Sequence, residues 1–228
     1  MLNLKNKSKN AIMKKGDIME FSTSILTIKD QEQSILAIDK IDTDYIHIDV
    51  MDGNFVNNYA DFRSIKGIQK PLDIHFMVQD INQYIDAYLG FHPVYMTFHI
   101  EACQDDKQVR KYIEKIRNNH IKVGISISPD TDIDKIKPYL NEIDLVLVMS
   151  VYPGYGGQTF IETISSKIEK LSQYRKEEGY TYKIEVDGGI NPDTCLLCQE
   201  ADILVIGSYI TDSKDPKNRL QTIKQKFI

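Results

Sequence analysis

Four side chains on three short apolar runs have the residue types and the spacing of a divalent-metal site. His47 and Asp49 are two residues apart in one run, and such residues point to the same side of an extended strand. His75 stands in a second run, and Asp187 precedes two glycines at the end of a third. Taken singly, a histidine on a strand is usually a hydrogen-bonded core residue, and an aspartate before glycine often forms a turn. Together, the two imidazoles and two carboxylates favour a metal site.

Glycine clusters after three apolar runs indicate a second feature, an anion-binding site. Glycines leave backbone N–H groups free to surround a phosphate. Tight-turn geometry alone would explain one such cluster, but it is a weaker explanation for three. The clusters are Gly154-Tyr155-Gly156-Gly157, Gly188-Gly189 and Gly207-Ser208.

These residues are positioned by elements that repeat along the chain. Apolar, β-rich runs alternate with amphipathic segments of helical spacing, which is typical of βα units around a parallel sheet. Strands are predicted at 21–26, 45–51, 72–78, 95–101, 122–128, 145–151, 183–189 and 203–210. Helices are predicted near 30–40, 62–69, 81–89, 105–119, 133–140, 161–178, 192–200 and 216–227, with Asn191 capping the seventh.

Eight βα repeats in about 200 residues predict a single α/β domain, a (β/α)8 TIM barrel. The alternative is an open doubly wound sheet, which would carry its glycine fingerprint after the first strand. Thr27 and Ile28 follow that strand instead, so the barrel is favoured. In a barrel the catalytic groups lie at the C-terminal ends of the strands, where the four candidate ligands can converge.

The composition limits the class of partner. The chain has 228 residues, of which 42% are hydrophobic, and a net charge of −5. The hydrophobic residues are numerous enough for a sizeable core. The negative net charge argues against a nucleic-acid partner. Without a membrane-spanning stretch or a signal peptide, we expect a cytoplasmic protein with no membrane partner. The CxxC from Cys195 to Cys198 is interpreted as a half-buried helix face, because no second pair accompanies it.

The first residues of the chain differ from the rest. Residues 1–16 carry five lysines and little apolar periodicity, so burial there cannot offset the entropy cost of ordering the segment. We expect a flexible tail over residues 1–18 and a barrel domain over residues 19–228.

Three motifs closely resemble those of the ribulose-phosphate 3-epimerase family. Residues 47–56 read HIDVMDGNFV, residues 149–158 read MSVYPGYGGQ and residues 186–190 read VDGGI. Their order and separations also match, and the resemblance runs from about Phe21 to the C-terminus. It implies a TIM barrel of the ribulose-phosphate-binding type.

The resemblance also implies roles for the candidate ligands. His47, Asp49, His75 and Asp187 match the residues that bind one divalent metal in the family, with Zn²⁺ or Fe²⁺ expected first and Mn²⁺ or Co²⁺ as alternatives. Asp49 and Asp187 would be the two acid–base groups that remove and return the C3 proton of a ketose phosphate.

Further positions match parts of the family that contact substrate. Ser24 and His75 would contact the phosphorylated ketose, and the three glycine clusters would hold its phosphate. Met51, Met77 and Met149 match residues that line the family's pocket, although each is also an ordinary core side chain. His99 and Glu101 form a competing i, i+2 pair, which we interpret as supporting or structural because the family's ligand set does not include them.

The sequence therefore predicts an enzyme that interconverts D-ribulose 5-phosphate and D-xylulose 5-phosphate, expected to be a homo-oligomer. Two alternatives stay open. One is a D-allulose 6-phosphate 3-epimerase, because departures such as Asn57-Asn58-Tyr59 alter the loop after the second strand. The other is a non-catalytic barrel that binds a phosphorylated sugar, which would not need two acid–base groups.

Overall fold

A nine-stranded sheet that closes on itself forms the centre of the molecule in a computed structural model, which describes residues 18–28 and 31–228. Eight strands are parallel to their neighbours, and β1 pairs with both β2 and β9 to close the barrel. The ninth, β3, is a short antiparallel extension of β2. The strands are β1 Glu20–Ser24, β2 Tyr45–Asp52, β3 Tyr59–Ala60, β4 Leu72–Met77, β5 Tyr95–His99, β6 Lys122–Ile127, β7 Leu145–Met149, β8 Lys183–Asp187 and β9 Ile203–Ile206.

Helices follow most of the strands and cover the outside of the barrel. The α-helices are α1 Gln31–Ile38, α2 Ile81–Tyr88, α3 Asp106–Asn118, α4 Ser165–Glu178, α5 Ser208–Thr211 and α6 Pro216–Lys224. Short 3₁₀ helices lie at Leu89–Phe91, Ile100–Ala102, Ile133–Lys135, Lys137–Tyr139, Glu162–Ile164, Thr194–Cys198 and Gln225–Phe227. The predicted (β/α)8 barrel is confirmed.

The predicted helix over residues 62–69 is wrong. This segment follows β3 as turns and irregular backbone, and Gly67 adopts a positive φ of 85° that no α-helix contains. Asp61 further fixes the start of the segment by accepting hydrogen bonds from the backbone and side chain of Arg63.

Other element boundaries also differ from the prediction. The segments over residues 133–140 and 192–200 form 3₁₀ rather than α-helices, the first with a proline near the start of its second turn, where proline cannot continue the hydrogen-bond ladder. The predicted strand 203–210 ends at Ile206, because α5 begins at Ser208. Asn191 caps its turn as predicted, accepting hydrogen bonds from the N–H groups of Asp193 and Thr194.

Alternation along the strands separates two environments. Outward residues such as Ile48, Ile74 and Phe98 belong to the large core between barrel and helices. Many inward residues are polar and buried, including the members of this list: Ser22, Ser24, His47, Asp49, Asp73, His75, Thr97, His99, Ser126 and Glu185. Buried polar groups are costly unless they are paired, so the barrel interior is a place where function is to be sought.

Two further observations bear on the sequence-based expectations. No helix in residues 18–28 and 31–228 combines the length and the apolar character that a membrane crossing requires. The tail expected over residues 1–18 lies, apart from Ile18, outside the described residues.

Candidate active site

Four ligand atoms, one each from His47, Asp49, His75 and Asp187, lie within 4.8 Å of one another. Strand register explains this convergence. Asp49 on β2 is the direct partner of His75 on β4, His47 precedes Asp49 on the same face, and Asp187 is the last residue of β8. The structure thus brings together the four residues that the sequence predicted as ligands.

The atoms that face the centre of this cluster are suited to a cation. Asp49 Oδ1 lies 3.4 Å from His47 Nε2 and 3.1 Å from His75 Nδ1. His47 Nε2 is buried and has no hydrogen-bond partner among the described residues. An unpaired buried nitrogen beside two carboxylates is costly alone and is satisfied by a metal ion. The donor set fits a divalent metal.

His47 is supported from behind by a carboxylate. Its Nδ1 lies 2.6 Å from Asp73 Oδ2, and Ser22 Oγ donates to the same oxygen. In the neutral ring that a metal requires, an Nδ1–H that donates to Asp73 fixes the tautomer and leaves the Nε2 lone pair directed into the cluster.

Glu185 lies beside this support in the closed interior. His47, Asp73 and Glu185 also place one ligand atom each within 4.8 Å of one another. Burial and the charge of Asp73 raise the pKa of Glu185 well above its ordinary value, which favours its protonated carboxyl group. Asp73 Oδ1 and both carboxyl oxygens of Glu185 are buried without a hydrogen-bond partner in the described part of the chain.

His75 is supported differently. Its Nε2 lies 2.9 Å from Nε2 of His99, and Nδ1 of His99 lies 2.9 Å from Glu101 Oε2. His99 is outside the four-ligand cluster, in agreement with its interpretation as a supporting residue.

The two carboxylates of the cluster differ in protonation before an ion binds. Burial and the nearby charge of Asp49 raise the pKa of Asp187 to about 7. Burial opposes ionisation of Asp49 as well, but the charge of the nearby His47 outweighs this and lowers the pKa of Asp49 below its ordinary value. One carboxylate is therefore ionised while its neighbour holds a proton near neutral pH, which suits an acid–base pair.

The two imidazoles also differ. Burial lowers the pKa of His75 to about 4, so this ring is neutral at physiological pH. Burial would lower the pKa of His47 too, but the charges of Asp73 and Asp49 outweigh it and raise that pKa well above the ordinary value.

A cavity of about 320 Å³ opens above the carboxylates at the C-terminal end of the barrel. Asp49 and Asp187 form part of its wall, whereas His47 and His75 lie buried beneath it. The remaining predicted site residues all line the cavity; they are Ser24, Met51, Met77, Met149, Gly154, Tyr155, Gly156, Gly157, Gly188, Gly189, Gly207 and Ser208. Ser24 Oγ donates to Asp49 Oδ2 at 2.8 Å.

The glycine clusters meet on one side of the cavity. A side chain at Gly189 would place its Cβ 2.6 Å from the backbone nitrogen of Phe160, and the residue has a positive φ of 62°, so only glycine fits there without strain. A Cβ at Gly157 would lie 4.0 Å from Ser208 Oγ. Backbone from the loops after β7, β8 and β9 thus borders a single space.

The loop after β2, whose sequence departs from the family motif, contacts the loop after β7. Asn58 Nδ2 donates to the carbonyl of Gly154 at 2.7 Å, and the Tyr155 hydroxyl donates to the carbonyl of Asn57 at 2.5 Å. Sequence reasoning did not identify Asn58, because its contact is 96 residues distant along the chain.

Sequence reasoning also missed Asp73 and Glu185. Asp73 carried a usable signal, since it stands two residues before His75 as His47 stands before Asp49, and so shares its strand face. Glu185 stands in the same relation to Asp187.

Comparisons with known proteins place this geometry in a family. The profile of the Ribulose-phosphate 3 epimerase family matches residues 19–211. Ribulose-phosphate 3-epimerase of Bacillus subtilis is 34% identical over 198 residues, which cover 83% of this chain and 90% of that protein. The enzyme of the same name from Methanocaldococcus jannaschii is 34% identical over 200 residues, 85% of this chain and 83% of its own length.

Solved structures show the fold alone, because their sequences are distant. The 3-hexulose-6-phosphate synthase of Salmonella typhimurium has a TM-score of 0.60 at 17% identity and covers 92% of this chain and 98% of its own. Orotidine 5'-monophosphate decarboxylase of Sulfolobus solfataricus has a TM-score of 0.61 at 15% identity, with 92% and 97% covered. On the profile match and the curated relatives, this chain belongs to the ribulose-phosphate 3-epimerase family.

Proposed function

We propose that this protein is a metal-dependent epimerase that interconverts D-ribulose 5-phosphate and D-xylulose 5-phosphate. One observation carries the proposal: two carboxylates, Asp49 and Asp187, border one cavity above two buried imidazoles. Family membership supports this choice of reaction, since the curated relatives are named for it.

The reaction inverts the carbon next to the ketone. The C3–H bond breaks, its electron pair enters an enediolate, and a proton is added to the opposite face of C3. Two acid–base groups are needed, one on each face. A divalent ion held by His47, Asp49, His75 and Asp187 would stabilise the negative charge that develops on the enediolate oxygens.

Asp49 is suited to receive the first proton, because it is ionised and the Ser24 hydroxyl holds it in place. Asp187, on the wall of the same cavity, is suited to supply the second, because a carboxylate that holds a metal through one oxygen can still exchange a proton through the other. After one turnover Asp49 carries a proton and Asp187 does not. This is the state needed for the reverse reaction, so the same pair serves both directions.

The substrate phosphate would be held by backbone N–H groups of the glycine clusters, with Ser208 beside them. The chain has a net charge of −5, so a broad positive field does not provide the attraction. Oriented amides act locally and fix the sugar by its end. With the phosphate there, the remaining cavity over Asp49 and Asp187 is open to the C2 and C3 atoms.

The donor set of two imidazoles and two carboxylates suits Zn²⁺ or Fe²⁺ first, with Mn²⁺ and Co²⁺ as alternatives. Metal-stripped protein, reloaded with each ion in turn, should regain turnover of D-ribulose 5-phosphate in a coupled assay. D-allulose 6-phosphate, with one more carbon between carbonyl and phosphate, is the comparison substrate. A metal-replete protein that leaves D-ribulose 5-phosphate unchanged would refute the proposal.

A further inference from the structure

A chain of three polar side chains leads from the candidate metal site to the loop after β6. His75 Nε2 contacts His99 Nε2 at 2.9 Å, and His99 Nδ1 contacts Glu101 Oε2 at 2.9 Å. Both histidine side chains are completely buried, and the side chain of Glu101 is 21% exposed. The proposed catalytic step uses neither His99 nor Glu101.

The positions of the protons along this chain follow from what a metal requires. Nδ1 of His75 can bind an ion only when it carries no proton, so the neutral ring must carry its proton on Nε2. That N–H needs an acceptor, and the structure offers Nε2 of His99. His99 must then carry its own proton on Nδ1, where the carboxylate of Glu101 accepts it. The position of one carboxylate oxygen thus determines both tautomers.

Glu101 is itself held in place by hydrogen-bond donors. Its other oxygen, Oε1, accepts from the backbone N–H of Ser128 at 2.7 Å and from the hydroxyl of Thr131. Lys167 on α4 holds the same loop by donating to the carbonyls of Ser128, Pro129 and Thr131. Oε1 therefore faces donors, and Oε2 is left to accept from His99.

We propose that Glu101 is a positioning residue for the metal site, which acts through His99 to keep Nδ1 of His75 unprotonated and directed at the other three ligands. The inference rests on the proposed function only in taking the site to bind a divalent metal. It assigns no catalytic role to Glu101, which lies two hydrogen bonds from the ligand cluster.

Glu101→Gln is the decisive variant, because it keeps the size of the side chain and replaces one acceptor by a donor. The N–H of Ser128 requires an oxygen, so the new amide group must turn toward Nδ1 of His99. His99 then accepts at Nδ1 and carries its proton on Nε2. Facing this N–H, His75 must accept at Nε2 and carry its proton on Nδ1, where the metal binds.

The experiment measures Zn²⁺ affinity by competition with a chelator. Supporting hydrogen bonds to metal ligands are typically worth about 10- to 100-fold in affinity, so Glu101→Gln should bind Zn²⁺ weaker by that factor. Glu20→Gln is the matched control: it removes the same charge at the start of β1, where Glu20 pairs with Lys183. The control should bind like wild type.

A double-variant cycle separates positioning from a general loss of structure. His99→Leu removes the connection between Glu101 and His75, and should weaken Zn²⁺ binding by itself. If Glu101 acts through His99, adding Glu101→Gln to His99→Leu should change the affinity no further. Multiplied losses in the double variant would show that Glu101 acts by another route and would overturn the inference.

Nitrogen-15 spectra of histidine in the Zn²⁺-loaded protein give a readout that does not depend on affinity. Wild type should show a proton on Nε2 of His75 and on Nδ1 of His99. A proton on Nε2 of His99, or unchanged affinity in Glu101→Gln, would overturn the inference while leaving the proposed function intact. A wild-type protein that binds no Zn²⁺, Fe²⁺, Mn²⁺ or Co²⁺ would overturn both.

Discussion

The two imidazoles of the candidate metal site are supported in unlike ways. His47 is hydrogen-bonded directly to Asp73, a fully buried residue of the neighbouring strand at the same level of the barrel. His75 lies one layer closer to the cavity and contacts His99 through Nε2. His99 in turn contacts Glu101, which lies in the 3₁₀ helix after β5. The first support is set by strand register alone, whereas the second depends on a loop.

This difference teaches where the site is sensitive to change. A deep ligand is fixed once the sheet has formed, because its partner belongs to the adjacent strand. A ligand near the cavity lies close to the ends of the strands. It must be fixed by loop residues, which only the complete fold brings together. Substitutions in loops should therefore disturb His75 and leave His47 unaffected.

The largest effect is expected at Asp49, because one of its oxygens lies close to a nitrogen of each imidazole, His47 and His75. Asp49→Asn keeps the shape but removes a metal ligand and an acid–base group, and general acid–base groups are typically worth about 10²- to 10⁴-fold. Turnover should fall by at least that factor. Metal content must be measured on the same samples, and near-normal turnover by metal-replete Asp49→Asn would contradict the two-carboxylate mechanism.

The opposite carboxylate provides a separate test of proton transfer. Asp187→Asn should also reduce epimerisation by about 10²- to 10⁴-fold. In heavy water, metal-replete Asp187→Asn should still exchange the C3 hydrogen of the epimer that faces Asp49, without inverting it. Exchange of both epimers at equal rates would contradict the assignment of one carboxylate to each face.

The next largest effect is expected when the contact between His47 and Asp73 is broken, and it should appear in metal binding. Asp73→Asn removes the charge that accepts from His47 and leaves Glu185 with a neutral neighbour, so Zn²⁺ affinity should fall by about 10- to 100-fold. Histidine nitrogen spectra should change at His47 and stay unchanged at His99. The reverse pattern would show that the two supports are not independent.

The pH dependence of metal binding sharpens the comparison further. Asp187 has a pKa raised to about 7, and the pKa of His47 is also raised. As the pH falls, both groups take up protons, and a metal must displace these protons to bind. Apparent Zn²⁺ affinity should therefore rise with pH through about 7 and level off once both groups are deprotonated. Asp73→Asn removes the charge that raises the pKa of His47 and should flatten this dependence, whereas Glu20→Gln should not.

The smallest effect is expected outside both supports. Asn58→Ala removes one hydrogen bond between the loops after β2 and β7, and a single such bond is worth about 1 kcal/mol. KM for the sugar phosphate should rise by no more than about fivefold, which is the factor that this energy allows. Metal affinity should not change, and a loss of bound metal would show that the loop contact reaches the ligands.

The sequence predicted the barrel and the four ligands because both follow from local patterns. Alternation puts His47 and Asp49 on one face, and the repeat of strand and helix implies closure of the sheet. Asp73 could have been found by the same alternation, since it precedes His75 by two residues.

Other features could not be predicted from local patterns. The contact of Glu101 with Ser128 and Thr131 joins two loops about 30 residues apart, and nothing in either segment indicates the other. The failed helix over residues 62–69 has a related cause: its apolar spacing suits a helix, but the positive φ of Gly67 and the pairing of β3 with β2 decide the backbone there.

Lys167 shows what a transplant of this site into another barrel would have to include. From α4, its ammonium group holds three carbonyls of the loop after β6, and the same loop holds Glu101. A designer who copied only the two histidines and two aspartates would move the ligands without the parts that set the protons of His75. The smallest portable unit also contains Asp73 behind His47, together with His99, Glu101, the loop over residues 128–131 and a lysine on the outer helix.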